Sequence, residues 1–167
     1  MRNILARGLV ALGNSASKLQ SLQLRLLAGE VKDNVEHLEP YGFTACPKEG
    51  AEALVGFIGG DRSHAVVIVV ADRRFRLQGI KPGEVALYTD EGDFIHFKRG
   101  RVIEIETVTL NVKATDSENF DTPLITSTGR IESAGDQVAG GVSQIEHLHD
   151  GVMVGQALSG PPVGGEE

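Results

Sequence analysis

Residues 116–141 constrain the fold of this chain most, because they are patterned like β-strand yet carry little apolar bulk. Half of them are Thr, Ser, Asp or Gly, and the aliphatic residues are isolated, such as Leu124, Ile131 and Val138. A small sheet needs a hydrophobic face that something covers, and so few aliphatic residues cannot close a core within one chain. Three chains wound around a common axis could share a narrow core, with each chain supplying one aliphatic residue per layer.

A disordered tail is the alternative for this region. Regular alternation and many β-branched residues argue against it. We therefore predict that residues 101–149 form a shaft, an intertwined trimeric triple-stranded β-helix. The apolar residues change parity between Ile105 and Val108, which predicts a bulge, or a point where the chain leaves one sheet for another.

Residues 21–100 are patterned as short strands separated by turns. Leu22, Leu24 and Leu26 alternate with polar residues, as a half-buried strand requires. Further strands are predicted at residues 43–46, 54–58, 65–71, 84–88 and 93–97. Pro, Gly and Asp punctuate the segments between them, and the 21 glycines and an aromatic content of only 5% also favour short strands and turns. The pattern predicts a small five-stranded barrel of the oligonucleotide/oligosaccharide-binding (OB) type.

The N-terminal residues 1–20 carry an apolar stripe with helical spacing. Leucines at positions 5, 9, 12 and 19, with Ala16, are separated by four, three, four and three residues. This spacing predicts an amphipathic helix, which either lies on its own domain or docks another chain. Arg7 and Asn14 interrupt the apolar run, so it is neither a signal-peptide core nor a membrane span.

His147 and His149 form a His-x-His pair close to the end of the chain. In an extended strand both imidazoles point to the same face, with Leu148 opposite. Two imidazoles make only a weak, open metal site, whereas three copies would supply six, an octahedral set. A pair of exposed loop histidines is the alternative. The single cysteine, Cys46, excludes intrachain disulfides and a cysteine-rich zinc site.

Charge and the remaining polar residues exclude several functions. A net charge of −7 argues against nucleic acid as the main partner. Arg73, Arg74 and Arg76 are better explained as strand residues in salt bridges than as a nucleic-acid patch. The other three histidines lie in separate segments and are interpreted as structural, and the acidic run at residues 90–93 as a solvated turn rather than a calcium loop.

Several motifs together resemble the central spike proteins of contractile phage tails, the baseplate assembly protein V family, in its Mu-like branch. The resemblance covers nearly the whole chain. It depends on the runs EPYGFT at residues 39–44, GGDRSH at 59–64, ADRRFR at 71–76 and GEVALY at 83–88, together with His147 and His149.

The resemblance implies a fold, a partner set and a cofactor. It implies a trimeric β-helix beside an OB-like barrel, and one iron ion per trimer held by six imidazoles from His147 and His149. It also implies a non-enzymatic spike, assembled in the host cytoplasm, in the virion at the baseplate tip. We expect the N-terminal part to attach to tail hub or baseplate proteins and the tip to pierce the bacterial outer membrane. Residues 150–167 continue past the motif and are expected to form a returning loop and a Gly-rich tail.

Two enzymatic alternatives remain open. A cupin-like metalloenzyme also begins its metal site with His-x-His, but it needs a Glu a few residues later and another His further along. A β-helical glycan hydrolase needs paired carboxylates in a groove. Asp116, Glu118 and Asp121 are close in sequence, although a turn explains them more simply.

Overall fold

The computed structural model describes residues 4–151 and residue 155. Within them the chain is mainly β, as the sequence predicts, and divides into two units, one ending at Lys113 and the next beginning at Ala114. The predicted returning loop and tail, residues 150–167, lie mostly outside the described residues. Among the described residues, no helix is long and apolar enough to cross a membrane.

Five strands close the predicted barrel. They are β1 (Leu5–Asn14), β2 (Ser21–Leu26), β3 (Val31–His37), β4 (Glu52–Phe57) and β5 (Ala65–Ala71), and short 3₁₀ turns lie at Leu27–Gly29 and Ile58–Gly60. The order around the barrel is β1-β2-β3-β5-β4. β4 pairs with β1 and closes the barrel. β3 and β5 pair in parallel, whereas the other neighbouring strands of the barrel are antiparallel.

The barrel interior is filled by aliphatic side chains and one aromatic ring. All five strands contribute fully or nearly fully buried residues: Val10, Leu22, Leu24, Val35, Val55, Phe57 and Val67. Burying one such side chain contributes roughly 1.5–3 kcal/mol. Gly8 lies where β1 crosses β2 closely, because a Cβ at this position would lie 2.8 Å from the Arg25 carbonyl oxygen.

The predicted N-terminal helix is wrong, because residues 5–14 form strand β1. In a strand, Leu5, Arg7 and Leu9 share one face, which is exposed, whereas Val10 on the other face is buried. The leucine spacing therefore mimicked a helical stripe while Ala6, Gly8 and Val10 supplied the true core pattern of period two. Removing residues 1–20 would delete a barrel strand, not a separable helix.

The predicted barrel boundaries, residues 21–100, are also wrong, because the barrel strands run from Leu5 to Ala71. The predicted strand at residues 43–46 is a loop. The Glu39 carboxylate accepts hydrogen bonds from the Thr44 hydroxyl at 3.0 Å and from the Ala45 N–H at 2.7 Å. Phe43 N–H donates to the Pro40 carbonyl at 3.0 Å. These local bonds replace the ladder that a strand would need.

The last two predicted barrel strands belong to a separate three-stranded antiparallel sheet. Its strands are β6 (Val85–Tyr88), β7 (Phe94–Lys98) and β8 (Val102–Glu106), with β7 in the centre. β8 ends at Glu106, where the apolar parity of the sequence changes. The chain leaves this sheet there, in part as predicted, but residues 107–137 form no strand of a second sheet.

Beyond β8 the described chain is extended and nearly unpaired. Residues 107–137 form no strand, and a short hairpin follows, made of β9 (Val138–Ala139) and β10 (Val142–Ser143). The backbone bends at residues 115–116, 122–123, 128–129 and 134–135, so successive bends begin seven, six and six residues apart. A single chain therefore supplies regularly bent, extended segments without the ladder partners of a sheet.

Candidate metal centre

The β9–β10 hairpin lies directly before the candidate metal ligands. Its two turn residues, Gly140 and Gly141, have φ of +58° and +82°. Two successive positive φ values suit the tight turn that joins twisted antiparallel strands, and glycine adopts them without strain. Val142 pairs with Ala139, and Ser143 with Val138.

Asp136 and Ser143 fasten the chain that leaves this hairpin. The Asp136 carboxylate accepts hydrogen bonds from the N–H groups of Gln144 at 3.0 Å and Ile145 at 3.3 Å. A side-chain hydrogen bond from Ser143, followed by these backbone bonds, lowers the pKa of Asp136. Ser143 Oγ also accepts the Glu146 N–H at 2.8 Å. The segment entering the histidine pair is thus held by its own hydrogen bonds.

His147 is oriented by the same hairpin. Its Nδ1 lies 2.8 Å from the Ser143 carbonyl oxygen. A carbonyl oxygen only accepts, so Nδ1 carries the hydrogen, and in the neutral imidazole Nε2 then presents its lone pair. This arrangement is the usual outer hydrogen bond of a histidine that binds a metal through Nε2. The residues present therefore fit a metal ligand at His147.

The two predicted ligands lie together. The ring centroids of His147 and His149 are 5.0 Å apart and their planes are inclined by 81°, while Leu148 between them is 94% exposed. The described residues contain no group of three or more His, Cys, Asp and Glu side chains suited to one ion. The described part of one chain thus brings two imidazoles together.

The other three histidines are separate from the His147 and His149 pair. Buried His37 contacts Gln20 Oε1 through Nδ1 at 3.0 Å, and buried His96 contacts Glu84 through Nε2 at 3.2 Å. His64 is exposed and precedes β5. No pair of these histidines lies together in the described chain as His147 and His149 do.

In the basic cluster after β5, Arg73 and Arg74 are engaged in ion pairs, as predicted, although they lie in a turn instead of a strand. The third member, Arg76, donates its backbone N–H to the Asp72 carbonyl at 3.1 Å. Arg73 forms a forked pair with Glu52, in which Nη2 lies 2.7 Å from Oε2. Arg74 pairs with Asp72 and donates to the Glu49 carbonyl at 2.9 Å. Glu52 raises the pKa of Arg73, and Asp72 raises the pKa of Arg74, so both guanidinium groups stay charged.

Glu84 is an acid of the first unit whose pKa is strongly lowered. It accepts the N–H groups of Lys81 at 2.8 Å and Arg99 at 3.0 Å, and it contacts His96. The backbone bonds, chiefly that from Lys81, lower its pKa from 4.5 to about 2. Because folding favours the charged carboxylate, its stabilisation is complete above pH 4.5 and is lost as the pH falls towards about 2.

We expect Glu84→Gln to destabilise the protein at neutral pH and to flatten its acid sensitivity. Glutamine offers one carbonyl oxygen to three donors and does not titrate. Denaturant unfolding should therefore show a smaller loss of stability between neutral pH and about pH 3 than in the unmodified protein. Glu106→Gln, an exposed site on the same sheet, controls for the loss of one carboxylate. An unchanged acid slope in Glu84→Gln would contradict this role.

Comparison with known proteins identifies the family. The family model described as Bacteriophage Mu Gp45, N-terminal, matches residues 7–74, which include nearly all of the barrel. The baseplate puncturing device gp45 of Escherichia phage Mu is 37% identical over 169 residues, covering 90% of this chain and 85% of that protein. The Mu-like prophage FluMu protein gp45 of Haemophilus influenzae is 37% identical over 159 residues, covering 88% of this chain and 86% of its own length.

The fold defines a class of protein in which a β-barrel is followed by a long, strand-patterned extension. Within that class, the chain belongs to the phage Mu gp45 family. The resemblance drawn from the sequence motifs is confirmed. The match covers about nine-tenths of the chain, so it continues well beyond the barrel.

The sequence predicts His147 and His149 as metal ligands but does not indicate the residues that hold the chain before them. Asp136 and Ser143 were overlooked because an isolated carboxylate in a Thr- and Ser-rich region suggests only solvation. The signal that could have found them is Gly140-Gly141 between Val138 and Val142, a tight hairpin signature. Side-chain oxygens on either side of such a turn can accept hydrogen bonds from the backbone N–H groups that follow it, as those of Asp136 and Ser143 do here.

Proposed function

We propose that this protein is the central spike of a contractile phage tail baseplate, a non-enzymatic homotrimer whose tip pierces the bacterial outer membrane. The naming of the phage Mu relative as a baseplate puncturing device supports this role. On this proposal the protein is assembled in the host cytoplasm and resides in the virion at the tail baseplate. Its work is mechanical: it transmits force along a rigid shaft.

The observation that carries the proposal is a series of large apolar side chains left exposed along the shaft region. Val108 is 100% exposed, and the side chains at the other positions are more than half exposed. The series continues with Leu110, Val112, Phe120, Leu124, Ile125, Ile131, Val138, Val142 and Ile145. A soluble chain does not leave so long a series in water, so we infer that other copies of the chain cover it.

The regular bends support a three-sided arrangement of these copies. Hydroxyl groups bridge the bends: Thr122 donates to the Leu124 carbonyl at 3.1 Å, Ser127 to that of Gly129 at 3.0 Å and Ser133 to that of Gly135 at 2.8 Å. Such local bonds fix turns. A chain that turns every six or seven residues, without pairing to itself, suits a triple-stranded β-helix in which neighbouring copies supply the ladder.

The histidine pair supports a shared metal at the end of this shaft. Three copies of His147 and His149 would provide six imidazoles, with His147 already in the tautomer that binds through Nε2. Imidazole suits iron, zinc, copper and nickel, and the family resemblance selects iron, one ion per trimer. When bound, the ion would supply crosslinking of the three chain ends and no chemical step.

The barrel is proposed to attach the spike to tail hub or baseplate proteins. In place of the predicted helix, strand β1 presents Leu5 and Leu9 outward, each about half exposed. Because these side chains lie on the outside of a closed barrel, they can contact a partner without unfolding it. The attachment surface proposed for the N-terminal part is therefore a strand face.

The enzymatic alternatives have less support. A cupin site needs further ligands from the same chain, and the described residues bring none beside His147 and His149. A glycan hydrolase needs two carboxylates facing one groove. Asp116, Glu118 and Asp121 are exposed on an extended segment, which offers no groove wall of its own.

Immunogold electron microscopy of tailed particles tests the proposed role. An antibody raised against the purified protein should label the distal end of the tail, at the centre of the baseplate. An antibody against an unrelated capsid protein is the matched control for specificity. Intact particles that contain the protein only in the head or tail tube would overturn the proposal.

A further inference from the structure

The loop that joins β3 to β4 projects two aromatic side chains into solvent. Tyr41 is 104% exposed and Phe43 is 62% exposed. The chain has two Tyr, six Phe and no Trp, so two of its eight aromatic residues lie within three positions. We call residues 40–43 the aromatic turn. Single apolar residues scattered over a surface need no explanation, but two large rings on one tight turn do.

The backbone of the aromatic turn is fixed by local hydrogen bonds. The Phe43 N–H donates to the Pro40 carbonyl at 3.0 Å. Gly42 has φ of +85°, as the third residue of a type II turn requires. The Glu39 carboxylate closes the base of the turn, because it accepts the hydroxyl of residue 44 and the N–H of residue 45. The two rings are therefore carried on an ordered backbone.

Both ends of the loop are attached to the barrel. The Leu38 N–H donates to the Val67 carbonyl in β5 at 3.4 Å. Buried Gln20 donates through Nε2 to the Ala45 carbonyl at 3.1 Å. These bonds hold the aromatic turn away from the barrel surface, so its rings stay in solvent until another molecule covers them.

The chemistry of the aromatic turn suits a pocket on a protein. An aromatic ring buries about 150–250 Å², and rigid aromatic side chains that fill pockets are frequent anchors at protein interfaces. The Tyr41 hydroxyl would need a hydrogen-bonding group at the end of such a pocket. Because the backbone is already ordered, binding would lose little conformational entropy.

The charge of the loop argues against a lipid surface as the occupant. Residues 36–49 contain three carboxylates, those of Glu36, Glu39 and Glu49, and one lysine, Lys48. Anionic lipids attract Lys and Arg side chains, and segments that bind at a membrane surface are rich in them. An acidic loop on a chain with a net charge of −7 has the opposite character.

We propose that the aromatic turn anchors the barrel to a separate baseplate polypeptide, with Tyr41 and Phe43 seated in an apolar pocket of that protein. The inference rests on the proposed baseplate role and adds a second surface to the outward leucines of β1. Copies of this chain are already held together, on that proposal, by the apolar series that follows β8. Attachment to the baseplate needs a surface of the barrel that the series does not use, and the aromatic turn is one.

Cysteine labelling in assembled particles tests the proposal. Tyr41→Cys is made in a Cys46→Ser background, and tailed particles are grown in a host that supplies this variant in place of the native protein. The thiol should react with a maleimide at least tenfold more slowly in purified particles than in the purified spike. Glu118→Cys, an exposed polar position in the shaft region, should react equally in both. Equal labelling of Tyr41→Cys in the two samples would overturn the proposal.

Photo-crosslinking identifies what covers the turn. With p-benzoylphenylalanine in place of Tyr41, irradiated particles should give an adduct between this chain and a tail polypeptide of different sequence, identified by peptide mass spectrometry. The purified spike should give no such adduct. Adducts that contain only peptides of this chain would assign the turn to a second copy, and adducts with phospholipid would assign it to a membrane. Either result would overturn the proposal.

The amount of spike in each particle separates this inference from the proposed function. The double variant Tyr41→Ala, Phe43→Ala should sediment like the unmodified spike but be reduced at least tenfold in purified particles. Leu27→Ala, which shortens an exposed side chain in another barrel turn, should be incorporated normally. Normal incorporation of the double variant would overturn the aromatic turn as an anchor and leave the spike role standing. Absence of the unmodified protein from particles would overturn the spike role itself.

Discussion

Replacing both His147 and His149 by alanine is expected to lower bound metal from one ion per three chains to none. The reason is that each trimer would lose all six imidazoles, and the described residues hold no other cluster that could take the ion. The trimer itself should persist, because the hydrogen bonds of the Asp136 and Ser143 side chains and the apolar series do not involve these rings. Elemental analysis of the purified protein, with sedimentation on the same sample, measures both quantities.

The matched control is His64→Ala, which removes an exposed histidine elsewhere in the chain. It should leave metal content unchanged. The same comparison by hydrogen exchange tests what the ion does: amides of residues 144–149 should exchange faster in the double variant, because metal binding is coupled to the folded arrangement. Full metal content in the double variant would show that the ligands lie elsewhere.

Ile131→Asp is expected to prevent trimer formation. Ile131 is 68% exposed in the single chain, and in the proposed trimer three copies would meet in one layer of a narrow core. The substitution would then bury three carboxylates together, and each buried unpaired charge costs several kcal/mol. Sedimentation should show a shift from trimer to monomer or to aggregates formed through the uncovered apolar series.

Arg130→Asp is the control for this substitution. It introduces the same carboxylate one residue earlier, where the side chain is exposed and faces the opposite way in an extended strand. It also removes the surface ion pair with Glu132, a loss of little consequence. Arg130→Asp should remain trimeric. A trimeric Ile131→Asp would contradict the shared core at this layer.

The barrel was predictable as a class because strand alternation and turn chemistry are local signals. Leu22, Leu24 and Leu26 alternate in β2 as the sequence indicates, and their side chains are buried. β1 was not recognised because outward leucines and inward small residues gave two competing periods. The choice between them is made by packing against β2 and β4, which local spacing does not reveal.

Strand membership was harder to predict than strand existence. Residues 84–88 and 93–97 were correctly predicted as extended, but they pair with β8 and not with the barrel. The partner of a strand depends on chain closure over long distances, whereas alternation is read from a few neighbours. Residues 43–46 failed for another reason, since hydrogen bonds to Glu39 hold them in a loop.

The histidine pair was predictable from spacing, but its supports were not. Convergence of His147 and His149 follows from alternate positions, and the structure brings the rings to within 5.0 Å. The tautomer of His147 depends on the Ser143 carbonyl, a backbone group that any residue could supply. Sequence thus indicates ligands more readily than the backbone atoms that orient them.

The sequence of the shaft region indicated that its aliphatic side chains must be buried by other chains. Its thin apolar content predicts that one chain cannot close a core, and its aliphatic residues are indeed exposed in the described single chain. The regular bends at residues 115–116, 122–123, 128–129 and 134–135 were not predicted. Ser and Thr hydroxyl bonds span the last three of these bends, a role that composition alone did not suggest.

Three chains that share one core and one ion define the proposed spike. Native mass spectrometry of the intact protein, combined with elemental analysis of the same preparation, measures both properties. We expect a mass of three chains, each of 17.8 kDa, plus a single transition-metal ion retained at neutral pH. A folded single chain, or one ion bound to each chain, would show that the proposed trimer is wrong.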